Sequence, residues 1–485
     1  MELKAFLLSL ATLPLAKSET VLGVYIFHRH GDRSAKALAP TNLTALGADQ
    51  VFQSGTYYRN KYVSSNASSP IFGLSSDIAV PTQLGVTSPA DSVLQSSALA
   101  FLQGIYPPAG SNSVSVLANK SEVVAPLGGY QYIPVSTTAS TSSSADSENS
   151  EWLQGGSGCG NAVVSSNNYF SSAEYAGMLA STKGFYSAIE PVVNATFTAS
   201  QTTFKNAYTI FDLINVATIH NASIPSDDLL TNDTLFQLRT LADNHEWNLA
   251  YNGSDPIRAI AGSTLAAQIV QSLNATLAGK SSTPVGIQFG AYASFMSFFG
   301  LAQLQKVSAD FTGVVDYASS IVFELVTNAS TSTSGYPAAA DVSVRFYLAN
   351  GTAAINPPQL YPLFGQSETT IPWTTFQDEM NKFAVGDTSS WCQACGNTTG
   401  VCATAASTSG SGGDGGSGAA STEGSSLSLP VAGVIGALVT LVVILGIEGL
   451  VYALAGLKLV RKSTLAAAAA AASTTGSTEA AGAKA

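Results

Sequence analysis

The chain has 485 residues, of which only 11% are charged, with a formal net charge of −11. That balance excludes a general nucleic-acid binder, which needs a basic face, yet leaves room for a small phosphate pocket where a few arginines dominate the local field. The length suits one large α/β unit with tails or two to three ordinary domains, and 4 cysteines are too few for a disulfide scaffold.

Residues 1–18 read as a secretory leader: Lys4 supplies the positive end, an apolar stretch follows, and it is too short to span a bilayer. Residues 21–27, VLGVYIF, predict a buried strand. The polar segment HRHGDRS follows, then a helix with Thr44 as N-cap and Val51, Gly55, Tyr58 and Tyr62 at helical spacing. A second helix is expected over 88–106, with Leu94, Leu99, Phe101 and Leu102 on its apolar side and Pro107 and Pro108 as its stop. Residues 135–150 are Ser/Thr-rich and read as an exposed loop, and the pattern from about 160 to 280 is helical. Strands return at 285–289, 320–326 and 342–347. A β-rich frame interrupted by a helical insertion implies an α/β core with a helical cap, placed roughly at 120–280.

Residues 403–426 hold almost nothing large and apolar, so 403–429 reads as a flexible stalk. Residues 430–457 are long and apolar enough for one transmembrane helix, and Lys458, Arg461 and Lys462 follow at once. The positive-inside rule then gives a type I membrane protein with a cytosolic tail over 458–485. Glu448 reads as lying near the end of a helix whose true span is 431–447. The 19–402 region would face the lumen of the secretory pathway or the outside, at the cell surface or in a vacuolar or endomembrane compartment. Asn-x-Ser/Thr acceptors agree: Asn42, Asn66, Asn119, Asn194, Asn221, Asn232, Asn252, Asn274, Asn328, Asn350 and Asn397 all precede the span. Cys392 and Cys395, with Cys402 and Cys159, have a spacing that zinc can use, but an oxidising lumen favours disulfides, in any of three pairings.

The segment Arg29-His30-Gly31-Asp32-Arg33 carries the chemistry. Two guanidinium forks hold a phosphate dianion through paired hydrogen bonds, and an imidazole between them can attack phosphorus. Gly31 would let the backbone approach the ligand. His28, one residue before the motif, reads as structural.

This stretch resembles the RHGxR motif of the histidine acid phosphatases, the acid-phosphatase and phytase branch of the histidine phosphatase superfamily. The following helix pattern is similar at Leu43, Thr44, Gly47, Gln50, Gly55, Arg59 and Tyr62. The likeness extends over about 20–402, through LQSSALAFLQGIYPP, AIAGSTLAAQIVQSL, SIVFELV, VRFYLANGT and WCQAC. It implies a phosphoglycerate-mutase-like core, a central mixed sheet flanked by helices, with a mostly helical cap. It also implies His30 as nucleophile, Arg29 and Arg33 as phosphate ligands, a phosphorylated small molecule as partner, and no cofactor or metal.

Two parts of the family pattern are missing. Residues 86–97 match the stretch that carries a third pocket arginine, and they contain none. Residues 286–296 match the late His-Asp or His-Ala-Glu motif and contain no His, Asp or Glu, although Gln288 and Tyr292 carry hydrogen-bond donors. His245-Glu246 reads as a surface pair on a cap helix, and His220 as exposed beside Asn221. Two functions are expected from this: a membrane-anchored acid phosphatase, weakened by the missing parts, or an inactive relative that binds a phosphate ligand at the cell surface. A purely structural glycoprotein would leave the intact RHGDR segment unexplained. Oligomeric state leaves no mark in the sequence.

Overall fold

The computed structural model describes residues 19–138, 158–220, 228–278, 283–331 and 336–403. The expected leader, stalk, membrane span and cytosolic tail lie outside the described residues, as do Asn221 and most of the Ser/Thr-rich stretch. Among the described residues no helix is long and apolar enough to cross a membrane.

The apolar opening run forms β1 (Thr20–Arg29), buried from Val21 to its end. Helix α1 (Ala45–Tyr58) follows, with the Thr44 side chain accepting from the Gly47 N–H as an N-cap does. The helical path continues for one wide turn over Arg59–Val63. A strand not singled out in the sequence, β2 (Leu84–Pro89), occupies the start of the region expected to be helical. The helix itself, α2 (Ser92–Ile105), begins only at the Asp91 cap. Its buried side includes Leu94, Phe101 and Leu102, whereas Leu99 faces outward at 44% exposure, because it falls on the side of the helix away from that buried stripe.

A small hairpin of β3 (Val114–Val116) and β4 (Glu122–Val124), a single turn α3 (Pro126–Gly129) and the short β5 (Ser136–Thr138) lead towards the cap. The cap helices begin at residue 160, where the helical pattern of the sequence begins: α4 (Gly160–Asn168), α5 (Ala173–Ser181), α6 (Lys183–Val193), α7 (Ala207–His220) and α8 (Asn232–Ala250). Then come α9 (Ile260–Leu277), β6 (Val285–Gly290), α10 (Tyr292–Leu301), β7 (Ser320–Thr327), β8 (Val342–Ala349), β9 (Gln359–Tyr361), β10 (Thr370–Pro372), α11 (Trp373–Asn381) and α12 (Thr388–Cys395).

The strands form one mixed sheet in the order β10-β8-β7-β1-β6-β2-β5, with β9 on β8. Strand β1 lies at its centre, parallel to β6 and antiparallel to β7. Apolar clusters cover both faces of β1, over Tyr25 and Phe27 on one and Val24 and Ile26 on the other, which explains why its residues read as a continuous apolar run rather than an alternation. One apolar cluster packs α9 and α10 on the sheet through Phe27, Phe295, Phe298 and Phe323. A second packs α1 and α2 through Val51, Tyr58 and Phe101, and the cap has its own core around Tyr186, Phe204 and Ile214.

Candidate active site

Strand β1 ends where its neighbours end. Arg29 stands opposite Gly290 of β6, and His28 opposite Ser320 of β7. The five residues Arg29 to Arg33 then cross the end of the sheet under tight restraint. Arg29 N–H donates to Ser319 O at 2.8 Å, and Ala318 N–H donates to His30 O at 2.9 Å. Gly31 N–H donates to Ser97 Oγ at 3.2 Å, and Asp32 N–H to Gln50 Oε1 at 2.8 Å. The loop also lies directly against the first turn of α1. A Cβ on Gly31 would collide with the Gly47 backbone, and a Cβ on Gly47 would collide with the Asp32 backbone. Gly31 thus serves the close approach of loop to helix.

His30 is fully buried. Its Nδ1 lies 2.8 Å from Gly31 O. A carbonyl oxygen only accepts, so Nδ1 carries the hydrogen and the lone pair sits on Nε2. His28 makes the same kind of bond, Nδ1 to Arg29 O at 2.6 Å, and packs between Phe101 and Phe289. Burial pulls its pKa down to about 4, against the opposing pull of that backbone bond, so it is a neutral member of the core as its position outside the motif implied.

Arg29 and Arg33 flank His30, and all three surround the ring of Tyr317, from the loop before β7. The His30 ring is 5.6 Å from the Tyr317 centroid, the Arg29 guanidinium carbon 4.7 Å, and that of Arg33 5.7 Å. Arg29 also donates to Val315 O in the same loop. Arg33 is held from the cap by α7. Its Nη2 lies 3.0 Å from Asp212 Oδ1 and 3.3 Å from Tyr208 Oη, and its Nη1 3.2 Å from Asp212 Oδ2. Burial works against the Arg33 charge, but Tyr208, Asp212 and Tyr317 outweigh it and hold the group above the ordinary arginine value. Asp212 is 2% exposed and also accepts from Lys36 N–H at 2.7 Å and Tyr317 O–H at 3.3 Å. Burial pushes the Tyr317 phenol well up, so it stays neutral. The Nε–H groups of Arg29 and Arg33 are buried without a hydrogen-bond partner among the described residues.

None of Asp212, Tyr317 and Tyr208 was singled out in the sequence, since nothing in their local context marks them. A second group was undervalued. Tyr292, the first residue of α10, packs its ring against that of Tyr208 at a tilt, with centroids 4.7 Å apart, and the ring lies 5.3 Å from the Arg29 guanidinium carbon. Its O–H donates to Glu246 Oε2 at 2.7 Å, and Glu246 Oε1 accepts from His245 Nδ1 at 2.8 Å. His245 and Glu246 are not a surface pair: the His245 side chain is 7% exposed and the Glu246 side chain 14%. His245 lies among Tyr169, Phe170 and Phe204, because the inner face of α8 turns it into the cap core. His220 does keep an exposed edge at 35%, yet it is anchored: its Nε2 is 2.7 Å from Oδ2 of the buried Asp32, which also accepts from Thr44 O–H. Gln288 is engaged by Tyr25 and Gln268 inside the sheet.

A cavity of 340 Å³ opens between cap and sheet end, lined by Arg29, Tyr208, Asp212, Arg239 and Tyr317 among others. His30 and Arg33, both fully buried, do not line it. Arg239 brings a second arginine to its wall from α8, though its nitrogens already reach Asp243 at 3.0 Å and Asp316 at 2.9 Å. The four cysteines pair as Cys159–Cys395 and Cys392–Cys402, the first tying the start of α4 to α12. Of the described glycosylation acceptors, Asn42, Asn66, Asn119, Asn194, Asn232, Asn274, Asn328 and Asn350 are exposed, and Asn252 and Asn397 are half-buried.

The family described as histidine phosphatase superfamily (branch 2) matches this chain over residues 37–348, a span that starts just past the Arg29-to-Arg33 segment. No curated protein matches in sequence. Among solved structures, the chain is similar to the phytase from Citrobacter braakii, at 13% identity, TM-score 0.49, with 78% of this chain and 99% of that one covered. It is also similar to the Hafnia alvei phytase, at 11% identity and TM-score 0.49, covering 79% and 99% of the two chains. The phytase from D. castellii aligns at 14% identity and TM-score 0.49, covering 80% and 84%.

Proposed function

The chain belongs to branch 2 of the histidine phosphatase superfamily, and we propose that it hydrolyses phosphate monoesters through a phosphohistidine on His30. The observation that carries this reading is the bond from His30 Nδ1 to Gly31 O at 2.8 Å, which fixes the tautomer that leaves Nε2 nucleophilic. Nε2 attacks phosphorus and the ester P–O bond breaks. Arg29 and Arg33 hold the phosphoryl oxygens, and the Nε–H groups that they do not spend elsewhere are available for it. Water then cleaves the P–N bond, releases phosphate and restores the imidazole.

The departing oxygen needs a proton, and the end of β6 carries no carboxylic acid. The donor is Tyr292, whose ring stands beside Arg29 and whose O–H turns from Glu246 to the leaving oxygen when the ester is bound. Its proton passes to the leaving oxygen and is regained from the attacking water. The substrate is a small phosphate ester whose body fits the 340 Å³ cavity. Residues 430–457 anchor the 19–402 domain to a membrane with its site on the lumenal or outer face, a reading supported by the apolar run, the cations after it and the acceptors before it.

A second reading has its own support. The Arg33–Asp212 pair and the missing acid suit a relative that binds a phosphate ligand without turning it over. The test uses the purified full chain on an aryl and an alkyl phosphate, with His30→Ala as control. Turnover lost in that variant is expected. Phosphate binding with no His30-dependent turnover of either ester would leave only the binding reading.

A further inference from the structure

A phosphoryl group held by Arg29 and Arg33 and attacked by His30 must lie about 3 Å from both forks and about 3–3.5 Å from Nε2. The side chain between those three groups is Tyr317, with its ring 4.7–5.7 Å from each. The negative charge that a phosphoryl group would bring is already present as Asp212. Its carboxylate receives two guanidinium contacts from Arg33, a backbone N–H from Lys36 and the Tyr317 O–H. One Arg29 nitrogen is taken by the carbonyl of Val315 from the same loop as Tyr317. A planar ring, a fork-bound carboxylate and a carbonyl thus satisfy much of what a phosphate ester would satisfy. This accounts for the exclusion of His30 and Arg33 from the cavity wall.

Building on the phosphate-ester reading above, we infer that Asp212 and Tyr317 form an internal stand-in for the phosphoryl group and so decide which ligands the cradle accepts. The two residues come from different elements, the cap helix α7 and the loop before β7. A ligand enters only if it moves the ring and replaces the carboxylate on Arg33. Separating a buried ion pair is costly unless the incoming anion restores the same bonds. Bare orthophosphate replaces the charge but gains nothing from the cavity wall, so it binds weakly. A phosphate ester gains the further contacts of its body with Asn215, Thr352 and Asn356 on that wall. The stand-in costs ester and orthophosphate alike, and only the ester's wall contacts offset that cost, so the product is left bound too weakly to hold the site.

The test is the affinity of the full chain for inorganic phosphate, measured by titration calorimetry at one salt concentration. Asp212→Asn and Tyr317→Ala are each expected to tighten binding by about tenfold, since each removes one competitor for the cradle. Adding Arg29→Ala to Tyr317→Ala is expected to abolish the gain. Thermal melts accompany each variant. Should Asp212→Asn fail to fold with Arg33 left unmatched, Tyr317→Ala, which breaks no ion pair, decides alone. Arg29-dependent binding of phosphate to the wild type, bettered by neither variant, would overturn the stand-in and leave the phosphate reading in place. No binding to any variant, opened or not, would overturn both.

Discussion

Arg33 and Asp212 meet at 3.0 Å with side chains 0% and 3% exposed, and they join the loop after the first strand to a helix of the cap. A charge pair so deeply withdrawn from water is held by its geometry: remove one member and the other is stranded. Arg33→Met is expected to destabilise the protein by about 3–5 kcal/mol, because Asp212 is left buried without its guanidinium. The double variant Arg33→Met with Asp212→Leu should recover a large part of that loss. Urea unfolding followed by circular dichroism checks both, and equal destabilisation by the single and double variants would contradict the stranded-charge account.

The acid limb of stability should carry the signature of His28. Its pKa falls from 6.5 in the unfolded chain to about 4 in the fold. Between those values the unfolded chain takes up a proton that the folded protein refuses, so stability drops as pH falls from 6.5 towards 4. The full loss from this one group is about 3 kcal/mol. His28→Gln has no such proton to take up, and its stability profile across that interval should be flatter than that of the wild type, whatever its absolute stability.

Gly47→Ala places a methyl group against the Asp32 backbone, which has no soft side chain to yield. A loss of about 1–3 kcal/mol is expected, together with a displaced Arg29-to-Arg33 loop. Activity should therefore fall further than the lost stability alone accounts for, when compared at a temperature where the variant is fully folded.

Tyr292→Phe removes one oxygen and keeps the ring that packs on Tyr208 and faces Arg29. Alkyl phosphate turnover should fall by roughly 10²-fold, while an aryl phosphate, whose leaving group needs no proton, should change little. Parallel losses on both esters would assign Tyr292 to packing instead.

The parts of this molecule that were legible in its sequence are those whose signal is local. Strand β1 announces itself because it is buried on both faces, and Thr44 because an N-cap is a one-residue device. Strand β2 was hidden: LGVTSP is short, mixed in polarity and runs into a helix cap after two residues. The motif from Arg29 to Arg33 is contiguous, so its chemistry could be read. Its partners could not. Asp212 is 179 residues from Arg33 and Glu246 is 46 from Tyr292, and only the folding of the cap brings them together. His245 was misjudged because a His-Glu dipeptide looks solvated, whereas the face of α8 that carries it is the face that packs.

Helix α7 grips two consecutive residues of the loop, Asp212 on Arg33 and His220 on Asp32. The arrangement works as a keyed connector. Sliding the helix along its own axis would part both contacts at once, and in one direction would carry the Asp212 carboxylate towards that of Asp32, a mismatch that electrostatics penalises at short range. The two contacts therefore set where the cap seats along the core, and one of them is made by an arginine that flanks the His30 imidazole.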